Sequence, residues 1–156
     1  MRNSPEIVDF LNELLTAELT AINQYFLHAK MLEHAGYCRL AKQKRGESIE
    51  EMKHADRVID RILYLGGSPN VQRLGLVRIG EDAVQMHTND LAVELEAVER
   101  LNRGIVLCTE KVDAGTRSLL EEVLEEEEEA IDWLEAQLAL VQTLGKELYL
   151  AQQLHD

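Results

Sequence analysis

Ser48-Ile49-Glu50-Glu51-Met52-Lys53-His54-Ala55-Asp56 is the stretch on which the fold turns, and Glu51 with His54 is its centre. In a helix these two side chains stand three residues apart, on one face, within reach of a common ion. A carboxylate and an imidazole suit a transition metal. Such pairs are also common on solvated helix surfaces, so the meaning of this one depends on what the neighbouring helices bring to it.

Outward from the pair, a stripe of Glu47, Glu51, His54, Val58, Ile62 and Leu65 runs at steps of three and four through a helix expected over about 37–65. Gly66-Gly67-Ser68-Pro69-Asn70 stops it. Upstream, Ser4-Pro5 opens a first helix that ends near Gly36, with an inward stripe of Leu11, Leu14, Glu18, Ile22, Tyr25, Ala29 and Leu32. Downstream, residues 66–80 lack a helical period and read as a long crossover, able to travel the length of a bundle and reset the direction of the next helix. A third helix over about 81–112 carries Leu91, Glu94, Val98, Leu101, Ile105, Cys108 and Val112. Gly104 lies inside it at some cost in propensity. A fourth follows Asp113-Ala114-Gly115 and stops at Gly145, with Leu120, Val123, Glu127, Ala130, Ile131, Leu134, Leu138 and Val141 on its seam. Residues 146–154 form a short fifth helix, too small to stand without docking.

The composition agrees with an all-α protein. The 156 residues are 46% hydrophobic and 4% aromatic with two prolines, enough for one domain, 1–156, with a real core. The net charge of −13 repels nucleic acid and anionic membrane and draws cations. The opening residues lack the pattern of a signal peptide and no apolar run approaches a membrane span, so the expected location is cytoplasmic. Cys38 and Cys108 are isolated and read as reduced thiols, Cys108 in the core.

Four helices thus each carry one Glu in the middle of an apolar stripe: Glu18, Glu51, Glu94 and Glu127. Their seams must meet in one core. Four ionised carboxylates buried together would each cost several kcal/mol in desolvation before their repulsion is counted, so something must neutralise them. Two divalent cations would balance the charge, and oxygen ligands with one imidazole suit iron or manganese. In the glutamate run at 121–129, most other members are an ordinary solvated face.

In Leu19-Thr20-Ala21-Ile22-Asn23-Gln24-Tyr25-Phe26-Leu27-His28, Glu51-Met52-Lys53-His54-Ala55-Asp56, Ile79-Gly80-Glu81, Asp90-Leu91-Ala92 and Ile131-Asp132-Trp133-Leu134-Glu135, and over nearly its whole length, the chain resembles the bacterioferritins, the haem-binding branch of the ferritin-like superfamily. The ligand pattern known for that superfamily is a Glu from each of two helices and a Glu-x-x-His from each of the others. The resemblance implies a ferritin-like four-helix bundle in a hollow shell of twenty-four subunits that oxidises ferrous iron at an intrasubunit di-iron ferroxidase centre and stores it as ferric mineral. By the same resemblance Glu18 and Glu94 are terminal ligands, Glu51 and Glu127 bridging ligands, and His54 a nitrogen ligand, with Tyr25 beside the site as an electron source. Met52 is implied as the axial ligand of haem b, one from each of two subunits across a two-fold axis, serving reductive iron release with a ferredoxin as donor. A second stripe of Ile49, Met52, Ile59 and Leu63, which a monomer leaves partly exposed, suggests a subunit interface.

One position departs from the pattern. The second Glu-x-x-His requires a histidine at position 130, where this chain reads Glu127-Glu128-Glu129-Ala130. Glu128 and Glu129 lie about 100° and 200° round the helix from Glu127 and replace nothing. The expectation is one iron held well, the other weakly, and ferroxidase activity reduced or lost, with Ala130→His raising it. Such a chain would serve in a homo-oligomer or beside a ferroxidase-competent subunit in a mixed shell. Gly46 and Glu50 stand where relatives often carry His and Asp, which weakens any inner-surface iron site built there. His28, His34, His87 and His155 have no partner at ligand spacing and read as structural or surface residues. The competing reading is a small di-metal, peroxide-consuming helical bundle without storage.

Overall fold

The computed structural model describes residues 4–155; residues 1–3, part of the stretch read for a signal peptide, and residue 156 lie outside the described residues. Five helices follow in order: α1 (Pro5–Ala35), α2 (Cys38–Tyr64), α3 (Ala83–Glu110), α4 (Ala114–Leu144) and α5 (Lys146–Ala151). Gly36 closes α1 at φ 91°, a left-handed conformation that glycine adopts freely, and releases the chain into α2. α3 begins two residues later than expected because the Asp82 carboxylate accepts from the Gln85 backbone N–H at 2.9 Å and sets the first turn there. It also ends earlier. Val112, expected on the seam, sits at φ 58° in the turn before α4 and is 88% exposed. α5 is shorter than expected, ending at Ala151.

α1 packs on α2 and α3 on α4, giving two antiparallel hairpins, and the crossover decides how they join. α1 presents Asn12, Thr20, Gln24 and His28 along one face, at multiples of four residues. Asn12 Oδ1 accepts from Asn70 N–H at 2.8 Å, Thr20 Oγ1 from Gly75 N–H at 2.8 Å, Gln24 Oε1 from Arg78 N–H at 2.9 Å and His28 Nε2 from Gly80 N–H at 3.0 Å. The crossover therefore runs parallel to α1 with these four backbone donors satisfied, and α3 starts at the far end and returns antiparallel to α1. α2 and α3 consequently run in the same direction.

Two apolar clusters fill the bundle. One gathers Leu11, Leu14, Leu15, Val58, Ile62, Leu101, Leu120 and Val123; the other gathers Leu32, Leu40, Ala83, Met86, Val141 and Tyr149. Gly104 belongs to the first end: a Cβ there would strike the ring of Phe10, so the propensity lost in α3 is exchanged for aromatic packing. Between the clusters lies a buried polar layer with Glu18, Glu51, His54, Glu94 and Glu127 on one side and Gln24, His28, Lys44, His87 and Asp90 on the other. Tyr149 docks α5 on this layer, its hydroxyl 2.9 Å from His87 Nε2 and donating to Gln137 Oε1 at 2.7 Å. Among the described residues, no helix is long and apolar enough to cross a membrane.

Candidate metal centre

All four seam glutamates are buried, each at most 2% exposed, as is His54. The helical period brings them to one level because each sits midway along its helix. One oxygen each from Glu18, Glu51 and Glu127 and a ring nitrogen of His54 lie within 4.8 Å of one another. His54 Nδ1 faces the three carboxylates, 3.5 Å from Glu18 Oε2, 3.6 Å from Glu51 Oε1 and 3.5 Å from Glu127 Oε1. Glu94 stands on the other side of Glu127, where Tyr25 donates its hydroxyl hydrogen to Glu94 Oε1.

Burial and the mutual repulsion of the carboxylates dominate the electrostatics of the centre. Burial, then the neighbouring Glu18, pushes the Glu51 carboxyl well above its ordinary range; burial and Glu127 do the same to Glu94. Glu127 is raised to about 6, again by burial first and then by Glu18. Burial alone would lower the His54 pKa, but Glu18, Glu127 and Glu126 outweigh it and raise it to about 9. Burial and Glu94 keep Tyr25 protonated.

Three polar atoms here, Glu18 Oε2, His54 Nδ1 and Glu94 Oε2, are buried with no hydrogen-bond partner. Buried polar atoms are rarely left so, and a cation would satisfy all three, taking the place of the proton on His54 Nδ1. The donor set, carboxylate oxygens with one imidazole, fits iron or manganese.

Two surroundings of the centre were not legible beforehand. His54 Nε2 lies 2.5 Å from Glu126 Oε2, and Glu126 in turn is 3.6 Å from Arg57, which donates to Glu122 at 2.9 Å. A carboxylate on the outer ring nitrogen fixes the imidazole with its other nitrogen towards the metal position. In the sequence Glu126 was one of a run of glutamates; its place one residue before Glu127 was the only signal. Second, a cavity of about 430 Å³ between α1, the crossover and α3 reaches Glu18, Glu51 and Glu127 from the surface, with Asp9, Glu13, Glu96 and the arginines at 73, 78 and 100 lining it. Small side chains, Ala17, Ala21 and Ala97, keep its walls apart.

Ala130 is buried at the Glu94 end and offers no ligand atom. Met52 is 55% exposed, on the stripe with Ile49 and Leu63 at 44% and 57%, away from the buried centre. His28 and His87 are buried in the polar layer, while His34 and His155 are exposed.

A single bundle with carboxylates from four helices converging on one buried level is the architecture of the ferritin-like domain, and the description of that family matches residues 8–144. Among curated relatives, a bacterioferritin of Streptomyces coelicolor is 52% identical over 97% of this chain and 90% of its own length. One of Mycobacterium leprae is 51% identical over 97% of this chain and 96% of its own, and one of Brucella melitensis 41% identical over 96% and 92%. The chain belongs to the bacterioferritin family.

Proposed function

We propose that this chain stores and detoxifies iron as a subunit of a hollow twenty-four-subunit shell in the cytoplasm, and that ferrous iron is the substrate oxidised at the buried centre. One observation carries the reading: ligand atoms from three helices lie within 4.8 Å of one another, beside buried carboxylate oxygens that nothing else satisfies. Glu18 and Glu94 are the terminal ligands, Glu51 and Glu127 the bridging ones and His54 the nitrogen ligand. Bound iron supplies the redox chemistry with oxygen. The protein binds and positions the ion, Glu126 orients the His54 ring, the apolar clusters on either side exclude water, and Tyr25 stands against Glu94 as a local electron and proton source. An arriving cation displaces the protons that burial has raised onto Glu51 and Glu94.

The missing imidazole at Ala130 leaves the His54 side as the strong metal position and slows oxidation. Haem b is proposed at Met52: the exposed stripe offers one thioether per chain, so Met52 from each of two copies would hold the haem, with Ile49 and Leu63 as its apolar surroundings, and the haem would supply electron transfer for iron release. A ferredoxin-type protein is the proposed electron donor for iron release, and a ferroxidase-competent subunit a proposed companion in mixed shells.

Ferrous iron added in air to the assembled protein should be oxidised slowly and remain with the shell as mineral. A monomer or dimer on size exclusion, or protein that retains no iron after aerobic loading, overturns the storage reading. Met52→Leu should remove the haem absorption spectrum and leave assembly intact; haem retained by that variant overturns the haem assignment.

A further inference from the structure

The cavity that reaches Glu18, Glu51 and Glu127 is larger and less acidic than the passage of a lone cation requires. Its volume of about 430 Å³ lies in the range of small-molecule sites, about 300–1,000 Å³, and Ala17, Ala21 and Ala97 keep it that wide. Apart from the three metal ligands, its walls carry three acids, Asp9, Glu13 and Glu96, and three arginines, Arg73 and Arg78 from the crossover and Arg100 from α3. Charges in equal number give a dication no net attraction along those walls.

The pairing within the walls is uneven. Arg78 donates to Glu96 Oε1 at 2.7 Å, and Glu13 is taken up by Arg103, which donates to Glu13 Oε2 at 2.6 Å. Arg100 is left 3.6 Å from that same oxygen, its side chain only 20% exposed and its guanidinium making no hydrogen bond to a described residue. Arg73, on the exposed part of the crossover, has no side-chain partner among the described residues either. A guanidinium offers five N–H donors in a planar fork that matches a carboxylate. Two such groups with donors unused, in a cavity that leads to metal ligands, suit an anion that travels with a metal ion. The acids offer less to a competing cation: of the three on the walls, only Asp9 lacks a basic partner among the described residues.

We propose that this cavity binds a small polycarboxylate anion, held by Arg73 and Arg100, and that the metal ion reaches the centre as the chelate of that anion. The inference rests on the proposed centre and specifies the form in which its substrate arrives. The step is a ligand exchange. Bonds from the ion to the oxygens of the anion break, bonds to Glu18, Glu51, Glu127 and the His54 nitrogen form, and the protons those ligands release pass to the freed anion and to water; no electron moves. A single phosphate would fill little of the volume. The two arginines stand on separate elements, the crossover and α3, which suits an anion with two acidic groups some bonds apart.

The test is anaerobic loading of the assembled shell with cobalt(II), supplied either as its citrate chelate or as the chloride, and followed by visible absorption and by bound metal per chain. Both sources should end at the same occupancy. Loading from citrate should saturate with chelate concentration and slow about 10-fold in Arg73→Gln, and further when Arg100→Gln is added, as one and then two charge-assisted hydrogen bonds are lost. Loading from chloride should be unchanged or faster in the same variants, because they remove positive charge from the path of the cation. Arg73 is exposed, so its single variant carries the test should the double one fail to assemble. Variants that load from citrate at the unaltered rate, or that slow both sources alike, overturn the inference and leave the centre standing, as does inorganic phosphate that competes with the chelate as well as free citrate does. No tight cobalt from either source overturns the centre, and the inference with it.

Discussion

At the His54 end of the buried centre, three carboxylates and an imidazole close on a space that a cavity of about 430 Å³ connects to the surface; at the Ala130 end, Glu94 and Tyr25 border about 10 Å³ that Lys44 and Asp90 also line. The first end has orphaned ligand atoms on Glu18 and His54 and an outer carboxylate, Glu126, holding the ring. The second has an orphaned oxygen on Glu94 but an intact ion pair one layer away, its members bonded through to α5. Carboxylates gathered on one buried level are thus set in two different surroundings. One end opens towards the surface, and the other closes against a buried ion pair that is already complete.

The comparison breaks most visibly at His54. His54→Ala should abolish tight metal binding at the end that retains it, and a variant that still binds one equivalent tightly, by calorimetry with zinc, would show that the strong position lies elsewhere. Glu126→Gln should leave the site assembled but weaken its metal affinity about 10- to 100-fold, the usual effect of losing an outer partner of a ligating imidazole. An unchanged dissociation constant would make Glu126 a bystander.

The pH dependence of metal-free protein sharpens the contrast further. The His54 pKa is raised from 6.5 to about 9, so its stabilisation is complete below 6.5 and is lost as pH rises through 9. Glu51, Glu94 and Glu127 are also raised, so they likewise favour the folded state at lower pH. His87 is depressed to about 3, and its contribution is lost only as pH falls below 6.5. Between pH 7 and 9, metal-free protein should therefore lose stability, up to roughly 3 kcal/mol from His54, seen as a falling Tm in calorimetry. Bound metal, which needs these ligands deprotonated, should flatten or reverse the slope. The smallest effect belongs to the other end: Tyr149→Phe removes a buried donor to Gln137 and the acceptor of His87, and should cost about 1 kcal/mol in denaturant unfolding while leaving metal stoichiometry unchanged.

Much of this was legible in the residues. Glu18, Glu51, Glu94 and Glu127 interrupt apolar stripes that repeat at three and four, and a helix has no choice but to bring such positions to one face. The stops at Gly36, Gly66-Gly67 and Gly145 were legible for the same local reason. Lys44 was not, because a lysine beside polar neighbours on a helix reads as surface; only its partners on α3, His87 and Asp90, make it a core residue. Thr20 and Gln24 were unassigned, and His28 was read only as structural or surface, because the backbone donors they capture lie more than fifty residues away. Glu126 was hidden among identical neighbours. His54 lies on another helix and alone picks it out.

By itself the sequence determined four long helices, their order, the seam glutamate each brings inside, the family they belong to and the absence of a nitrogen ligand at 130. Those are properties of periodicity and residue type, carried within a single helix at a time. The tertiary structure decided how the centre is divided: which end opens to a cavity, which lies beside the buried Lys44–Asp90 ion pair, and which outer groups hold the ligands. Charge in a buried layer is settled only when elements distant in the chain have packed, because the cost of desolvation depends on what surrounds a group rather than on the group itself.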